Sequence, residues 1–154
     1  QNMESKKRNF FIVKDEKEKV VTPKKSDGQF LFMLLSFSAC TDFEKNKINN
    51  LLEQRNASIS QKDITAYTSL LSQTYLENAG LKAIQSMQHI FVTFEKIEMT
   101  SRDRIIQITD KNHAICEQTY VLNVFADDEW RKMVKREQLK FVREDKIWKI
   151  SSGL

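Results

Sequence analysis

Between residues 42 and 60 the apolar side chains Ile48, Leu51, Leu52 and Ile59 recur on one face at a period near 3.6. No Gly or Pro interrupts them, and the pattern predicts an amphipathic helix. At 100° per residue Arg55 falls in the middle of that apolar stripe. A guanidinium there has to reach water along its stem or meet a carboxylate. A second helix is expected over residues 63–71, where Ser60-Gln61-Lys62-Asp63 reads as a capping signal and Ile64, Tyr67, Leu70 and Leu71 share a face. Residues 72–80, which include Tyr75, read as a link. A third helix is expected over 81–95, with Ala83, Ile84, Met87, Ile90, Phe91 and Phe94 forming a broad apolar stripe.

Past Lys96 the period changes from 3.6 to 2 and β-branched residues dominate, so the remainder reads as sheet. Strands are expected near residues 97–109, 114–125, 131–143 and 146–152. Turn-type sequences separate them: Asp110-Lys111-Asn112-His113, Asp127-Asp128-Glu129 and Glu144-Asp145. Connections this short require antiparallel neighbours. One face of the second strand is mostly apolar, carrying Ala114, Cys116, Gln118, Tyr120, Leu122 and Val124. In the third, Met133, Leu139 and Phe141 share parity with Arg131, Lys135 and Glu137. The fold class is therefore α+β, three helices followed by long antiparallel hairpins.

The first forty residues have a different character. They hold eight Lys/Arg against five Asp/Glu, whereas residues 41–154 hold seventeen against sixteen, so the pI near 9 belongs to the leader and the body is almost neutral. Residues 1–28 read as a flexible basic leader with Pro23 and Gly28 as breakers. Residues 29–40 follow the basic pair Lys24-Lys25 with an apolar run of about ten residues ending in small ones, which is signal-peptide grammar and too short for a spanning helix. Phe37-Ser38-Ala39-Cys40 resembles a bacterial lipoprotein lipobox, although Phe37 stands where such motifs carry Leu, Val or Ile. That resemblance implies lipid on Cys40 and an address in the bacterial cell envelope. As alternatives, the run belongs to the fold of a cytoplasmic protein, or Cys40 forms a disulfide with Cys116.

The order and lengths of the elements resemble the nuclear transport factor 2-like superfamily. The same holds for the Ser60-Gln61-Lys62-Asp63-Ile64 junction and for the terminal Lys146-Ile147-Trp148-Lys149-Ile150 strand. The resemblance covers about residues 44–152 and implies a cone, in which the helices sit in the concave face of a curved sheet. It further implies a mouth that often holds a small apolar ligand and an outer sheet face that commonly makes a homodimer. The superfamily spans isomerases, dehydratases, cyclases, secretion-machinery subunits and plain binding domains, so fold alone leaves function open.

The candidate pocket residues are Arg55, Tyr67, Tyr75, Tyr120 and Glu137, with Glu117 as the second choice of carboxylate. An Arg–carboxylate pair inside the cone could hold a polar ligand group or tune an acid, and a phenol is a sensible donor to an oxyanion. No residue is assigned as catalytic. His89 lies opposite its helix's apolar stripe and His113 sits in a turn, so neither looks like a general base. The basic cluster Arg131-Lys132-Met133-Val134-Lys135-Arg136 divides between two strand faces beside Asp127, Asp128 and Glu129, which reads as a solvated hairpin, and no nucleic-acid partner is expected. There is no metal-type Cys/His cluster, HExxH pair, GxSxG elbow or EF-hand loop. With three glycines in the chain the Gly-dependent phosphate motifs are excluded, and no cofactor or metal is expected.

The sequence reading is thus a noncatalytic envelope lipoprotein whose cone binds a small apolar ligand or a protein partner. The alternatives are a small isomerase or dehydratase using Tyr120 or Tyr75 with Glu137 and Arg55, and a subunit of an envelope or secretion assembly. The address has a direct readout in the intact mass of protein from a bacterial membrane fraction. Cleavage before Cys40 with added acyl chains, lost in Cys40→Ser, is the expected result; an unprocessed soluble chain would remove the lipoprotein reading.

Overall fold

A computed structural model describes the backbone of residues 28–154 and the side chains from Cys40 onward. The expected leader up to residue 27 and the Phe37-Ser38-Ala39 side chains of the lipobox lie outside the described residues. The elements run α1 (Gly28–Ser60), α2 (Ile64–Ser69), α3 (Gln73–Tyr75), a π-helical turn (Leu76–Gly80) and α4 (Leu81–Thr93). Then come β1 (Lys96–Ile108), β2 (His113–Ala126), β3 (Glu129–Glu144) and β4 (Ile147–Ser152). The strands form one antiparallel sheet in sequence order, a meander whose concave face receives the helices. This is the expected α+β architecture.

The stripe predicted on α1 is the core. Ile48, Leu52 and Ile59 are buried against Met99, Cys116, Leu139, Phe141 and Ile150. The helix begins at Gly28 rather than at Asp42, so residues 28–41 extend it upstream. No helix among the described residues is long and apolar enough to cross a membrane. At its other end α1 closes with Lys62 in the left-handed region at φ 56°. There the Asp63 N–H reaches Ser58 O at 2.8 Å and the Lys62 N–H reaches Ile59 O at 3.1 Å, which together satisfy the last orphan carbonyls. Asp63 then caps α2, its carboxylate accepting from the Ala66 N–H at 2.9 Å, so the predicted junction holds a stop and a start in successive residues.

The expected link over residues 72–80 is helical instead. Ser72 is pinned to β4 through its N–H to Ile150 O at 2.8 Å, and its hydroxyl caps the next helix at the Tyr75 N–H. Gly80, the last residue of that expected link, lies inside the continuous helical path. A Cβ at this position would stand 3.1 Å from the Tyr75 carbonyl and 3.0 Å from the Leu76 side chain, so a side chain there would make those neighbours give by a few tenths of an ångström. The segment hides from pattern analysis because Gln73, Thr74, Glu77 and Asn78 face solvent and give no apolar period.

Two features set the sheet's geometry. β1 changes register between Arg102 and Ile105, with Asp103 at φ 55°, so the inward series Ile97, Met99, Ser101 continues as Arg104, Ile106 and Ile108. Both later hairpins close with two residues at positive φ, Asp127-Asp128 (53° and 60°) and Asp145-Lys146 (49° and 68°), as type I′ turns demand. Trp148 anchors β4 to α1 by donating its indole N–H to Glu44 at 2.7 Å, and Arg143 covers the indole ring while pairing with the same carboxylate. Cys40 is exposed and Cys116 buried, both as free thiols, which removes the Cys40–Cys116 disulfide as an alternative.

The β3–β4 turn carries a correctable cost, because Lys146 is a solvent-exposed side chain held in the left-handed region that glycine enters freely. Lys146→Gly is expected to stabilise the fold by about 0.5–1 kcal/mol in urea denaturation, after the extra backbone entropy of glycine is charged against it. A destabilised variant would show that Lys146 makes a contact worth more than the strain.

Candidate functional site

Arg55, rising from the apolar stripe of α1, meets Glu137 on β3 in a two-pronged pair: Nη1 to Oε1 at 2.7 Å and Nη2 to Oε2 at 3.1 Å. Both side chains are more than nine-tenths buried, at 6% and 9% exposure, so this is a desolvated ion pair and not a rim contact. Gln118, fully buried at the inward parity of β2, donates its amide to Glu137 Oε1 at 2.7 Å and accepts from Arg104 Nε at 2.9 Å. Those two partners fix the amide's orientation, since only the NH₂ can face a carboxylate and only the oxygen can face a guanidinium.

Arg104 carries the chain of contacts outward. It pairs with Glu53 at 2.7 Å and also donates to Ser101. Ser101 in turn accepts from the Asn56 amide at 2.8 Å. The network therefore spans β3, β2, β1 and α1 beneath the helices. The Arg55 Nε and the Asn56 Oδ1 are buried in it without a partner.

Above the Arg55–Glu137 pair, between α4 and the concave sheet, lies a cavity of about 510 Å³. All five residues singled out from the sequence line it: Arg55 from α1, Tyr67 from α2, Tyr75 from α3, Tyr120 from β2 and Glu137 from β3. Ile59, Met87, Ile90, Met99 and Leu122 supply an apolar wall, and Lys82 and Lys135 stand at the exposed mouth. Phe91 is buried, whereas Ile84, Met87 and Ile90 remain half-exposed along the gap.

The three phenols differ in depth. Tyr67 is 1% exposed, yet its hydroxyl, like those of Tyr75 and Tyr120, has no hydrogen-bond partner among the described residues. Burial pushes the Tyr67 phenol above its ordinary range, with partial relief from the Arg55 charge, and burial raises Tyr75 as well. Both are neutral donors at any physiological pH. Burial likewise pushes the Cys116 thiol up to about 11, so it is an inert core group.

Glu117 does not reach the cavity. It lies on the outer sheet face, paired with Arg136 at 3.2 Å, because its parity is opposite to that of Gln118. His89 and His113 are exposed, the latter against Asp110. The cluster from Arg131 to Arg136 is exposed throughout and alternates between faces, so of its members only Lys135 touches the cavity. Among the described residues no three His, Cys, Asp or Glu side chains are grouped to hold a metal. Sequence reasoning passed over Gln118 and Arg104. Gln118 gave the same signal as Arg55, a polar residue on an apolar face, whereas Arg104 owes its inward aim to a bulge that no alternation rule reveals.

Comparison with solved structures places this architecture among known ones. A nuclear transport factor 2-like superfamily protein from Salmonella enterica serovar Typhimurium superposes with a TM-score of 0.63 at 18% identity, covering 73% of this chain and 92% of that one. A protein named as a candidate dehydratase of the same family, from Streptomyces avermitilis, gives 0.62 at 15% identity over 73% and 94%. A protein of the same type with a cystatin-like fold from Novosphingobium aromaticivorans gives 0.62 at 11% identity over 77% and 84%. No family model and no curated protein sequence matches the chain. Identities this low carry the fold, and the fold is nuclear transport factor 2-like.

The buried pair makes a quantitative demand. Arg55→Met leaves Glu137 desolvated with one amide donor and is expected to cost about 3–5 kcal/mol in urea melts, while the double variant Arg55→Met/Glu137→Met recovers most of that loss. Equal stability of the single variant and the parent would show that the pair is not desolvated in solution.

Proposed function

We propose that this nuclear transport factor 2-like domain is a noncatalytic binding module of a bacterial cell envelope, tethered by lipid on Cys40, which takes a small apolar ligand into the cavity beneath α4. One observation carries the noncatalytic part. Glu137, the one acidic side chain lining the cavity among the described residues, has both oxygens engaged: Oε1 accepts from Arg55 and Gln118, and Oε2 accepts from Arg55. Three of its four lone-pair sites are taken, and a general base must also accept a proton, which here would leave the buried Arg55 cation uncompensated. Tyr67, Tyr75 and Tyr120 are unengaged among the described residues, and as phenols they offer hydrogen-bond donors to a ligand. An apolar wall with a deep neutral donor suits a ligand whose body is hydrocarbon and whose inner end carries an oxygen acceptor.

The alternative, an isomerase or dehydratase using Tyr120 or Tyr75 with Glu137 and Arg55, draws support from the cavity position of all four residues and from the dehydratase named among the similar structures. In the binding reading the outer sheet face is the surface for a second copy: Phe125 and Trp130 pack at 5.3 Å on it, and Trp130 and Val134 are about half exposed.

Methyl octyl ketone, which has an alkyl body and one carbonyl, separates the two readings in a single sample. Titration is expected to shift the methyl resonances of Met87 and Met99. Tyr67→Phe is expected to weaken binding by about 1 kcal/mol through loss of one neutral hydrogen bond. In D₂O the protons beside the carbonyl are expected to exchange no faster with protein than with buffer. Accelerated exchange that disappears in Glu137→Gln would establish the enzyme reading, and a ketone that leaves both methionines unmoved would end the small-ligand reading.

A further inference from the structure

Resting on the binding reading, we infer that the ligand is an organic monocarboxylate with an apolar body, its carboxylate held at the mouth between Lys82 and Lys135. The charges that line the cavity are unevenly placed. Arg55 and Glu137 neutralise one another at the floor, both buried, while the other charged side chains lining the cavity among the described residues, Lys82 and Lys135, are cationic and at the mouth. Lys82 comes from the first turn of α4 and Lys135 from β3, so they approach from opposite walls. Neither has an ion-pair partner among the described residues. Other exposed lysines, such as Lys111, Lys132 and Lys140, also lack an ion-pair partner among the described residues; what distinguishes Lys82 and Lys135 is that both line the same cavity. Two unpaired lysines facing one apolar opening therefore favour an anion there over a neutral or cationic group.

The inner end adds a second, independent condition. Tyr67 is almost completely buried and lines the cavity with an unpartnered hydroxyl, which is a donor that a wholly hydrocarbon tail would leave unsatisfied. A buried donor at one end, an apolar wall in the middle and paired cations at the other match a carboxylic acid whose far end bears a carbonyl or hydroxyl oxygen. The floor does not compete for the carboxylate, since the Arg55 Nη groups are already committed to Glu137.

Three probes of equal chain length and different charge test the inference by isothermal titration of the full domain: decanoate, decanol and decylammonium. Decanoate is expected to bind on the order of tenfold more tightly than decanol, with decylammonium weakest, and the decanoate preference is expected to shrink as salt is raised. In Lys82→Gln/Lys135→Gln the ratio of decanoate to decanol affinity is expected to fall to near one. Equal affinity for the three probes, or a decanoate preference that survives the double substitution, overturns the carboxylate assignment while leaving the cavity a binding site. Failure of all three to bind sinks the binding reading and this inference with it.

Discussion

A guanidinium and a carboxylate, both more than nine-tenths withdrawn from water, face each other across the interface of α1 and β3, and the arrangement of the interior follows from keeping them there. Each ion loses several kcal/mol of hydration on burial, which is regained only with good geometry and with the remaining lone pairs occupied. The two-pronged contact supplies the geometry and Gln118 occupies the lone pair that Arg55 leaves on Oε1. Once Gln118 is committed to Glu137 its oxygen points the other way and demands a donor, which Arg104 provides. Arg104 in turn is a charge that needs Glu53. The polar chain across the concave face is thus the consequence of one buried pair, each link satisfying what the previous link exposed.

The sheet is shaped to permit that chain. Regular alternation along β1 would carry the inward face from Ser101 to Asp103 and Ile105, placing a second carboxylate beneath the helices and leaving Arg104 outside. The register change at Asp103 reverses the parity, so an arginine enters the interior, Asp103 goes to solvent, and Ile106 and Ile108 reach the core. Strain at one residue in the left-handed region is small beside the cost of an unpaired buried acid.

The parts of this molecule legible from residues alone were those where one local rule decides. The period of 3.6 on Ile48, Leu51, Leu52 and Ile59 and the period of 2 on Ala114, Cys116 and Gln118 located the core, and the Asp-rich turns located the hairpins. Arg55 stood out because it interrupts an apolar stripe, and Glu137 because it shares parity with Leu139 and Phe141; their meeting needed only a helix laid on a sheet. What stayed hidden depends on relations between distant residues. The helix over residues 73–80 is held by Ser72 bonding to Ile150, a partner beyond the reach of any local pattern. Arg104 faces inward only because of a bulge, and Gln118 acquires its role only once Glu137 and Arg104 are in place.

The same pair also decides what kind of chemistry the cavity can host. A cone with three phenols and one carboxylate has the inventory of an acid–base enzyme, and inventory is what a sequence displays. Availability is another matter. A carboxylate in a hydrocarbon cavity without a cation would be pushed toward higher pKa and become a competent base. Here Arg55 and Gln118 together donate three hydrogen bonds to Glu137, and a proton placed on that carboxylate would leave the buried Arg55 cation uncompensated. Burial raises the phenols of Tyr67 and Tyr75, which are also unpartnered among the described residues, so these two remain donors throughout the physiological range. A floor that is neutral and closed, donors that are idle and a mouth that is cationic describe a place where an oxygen-bearing apolar acid would rest without being changed.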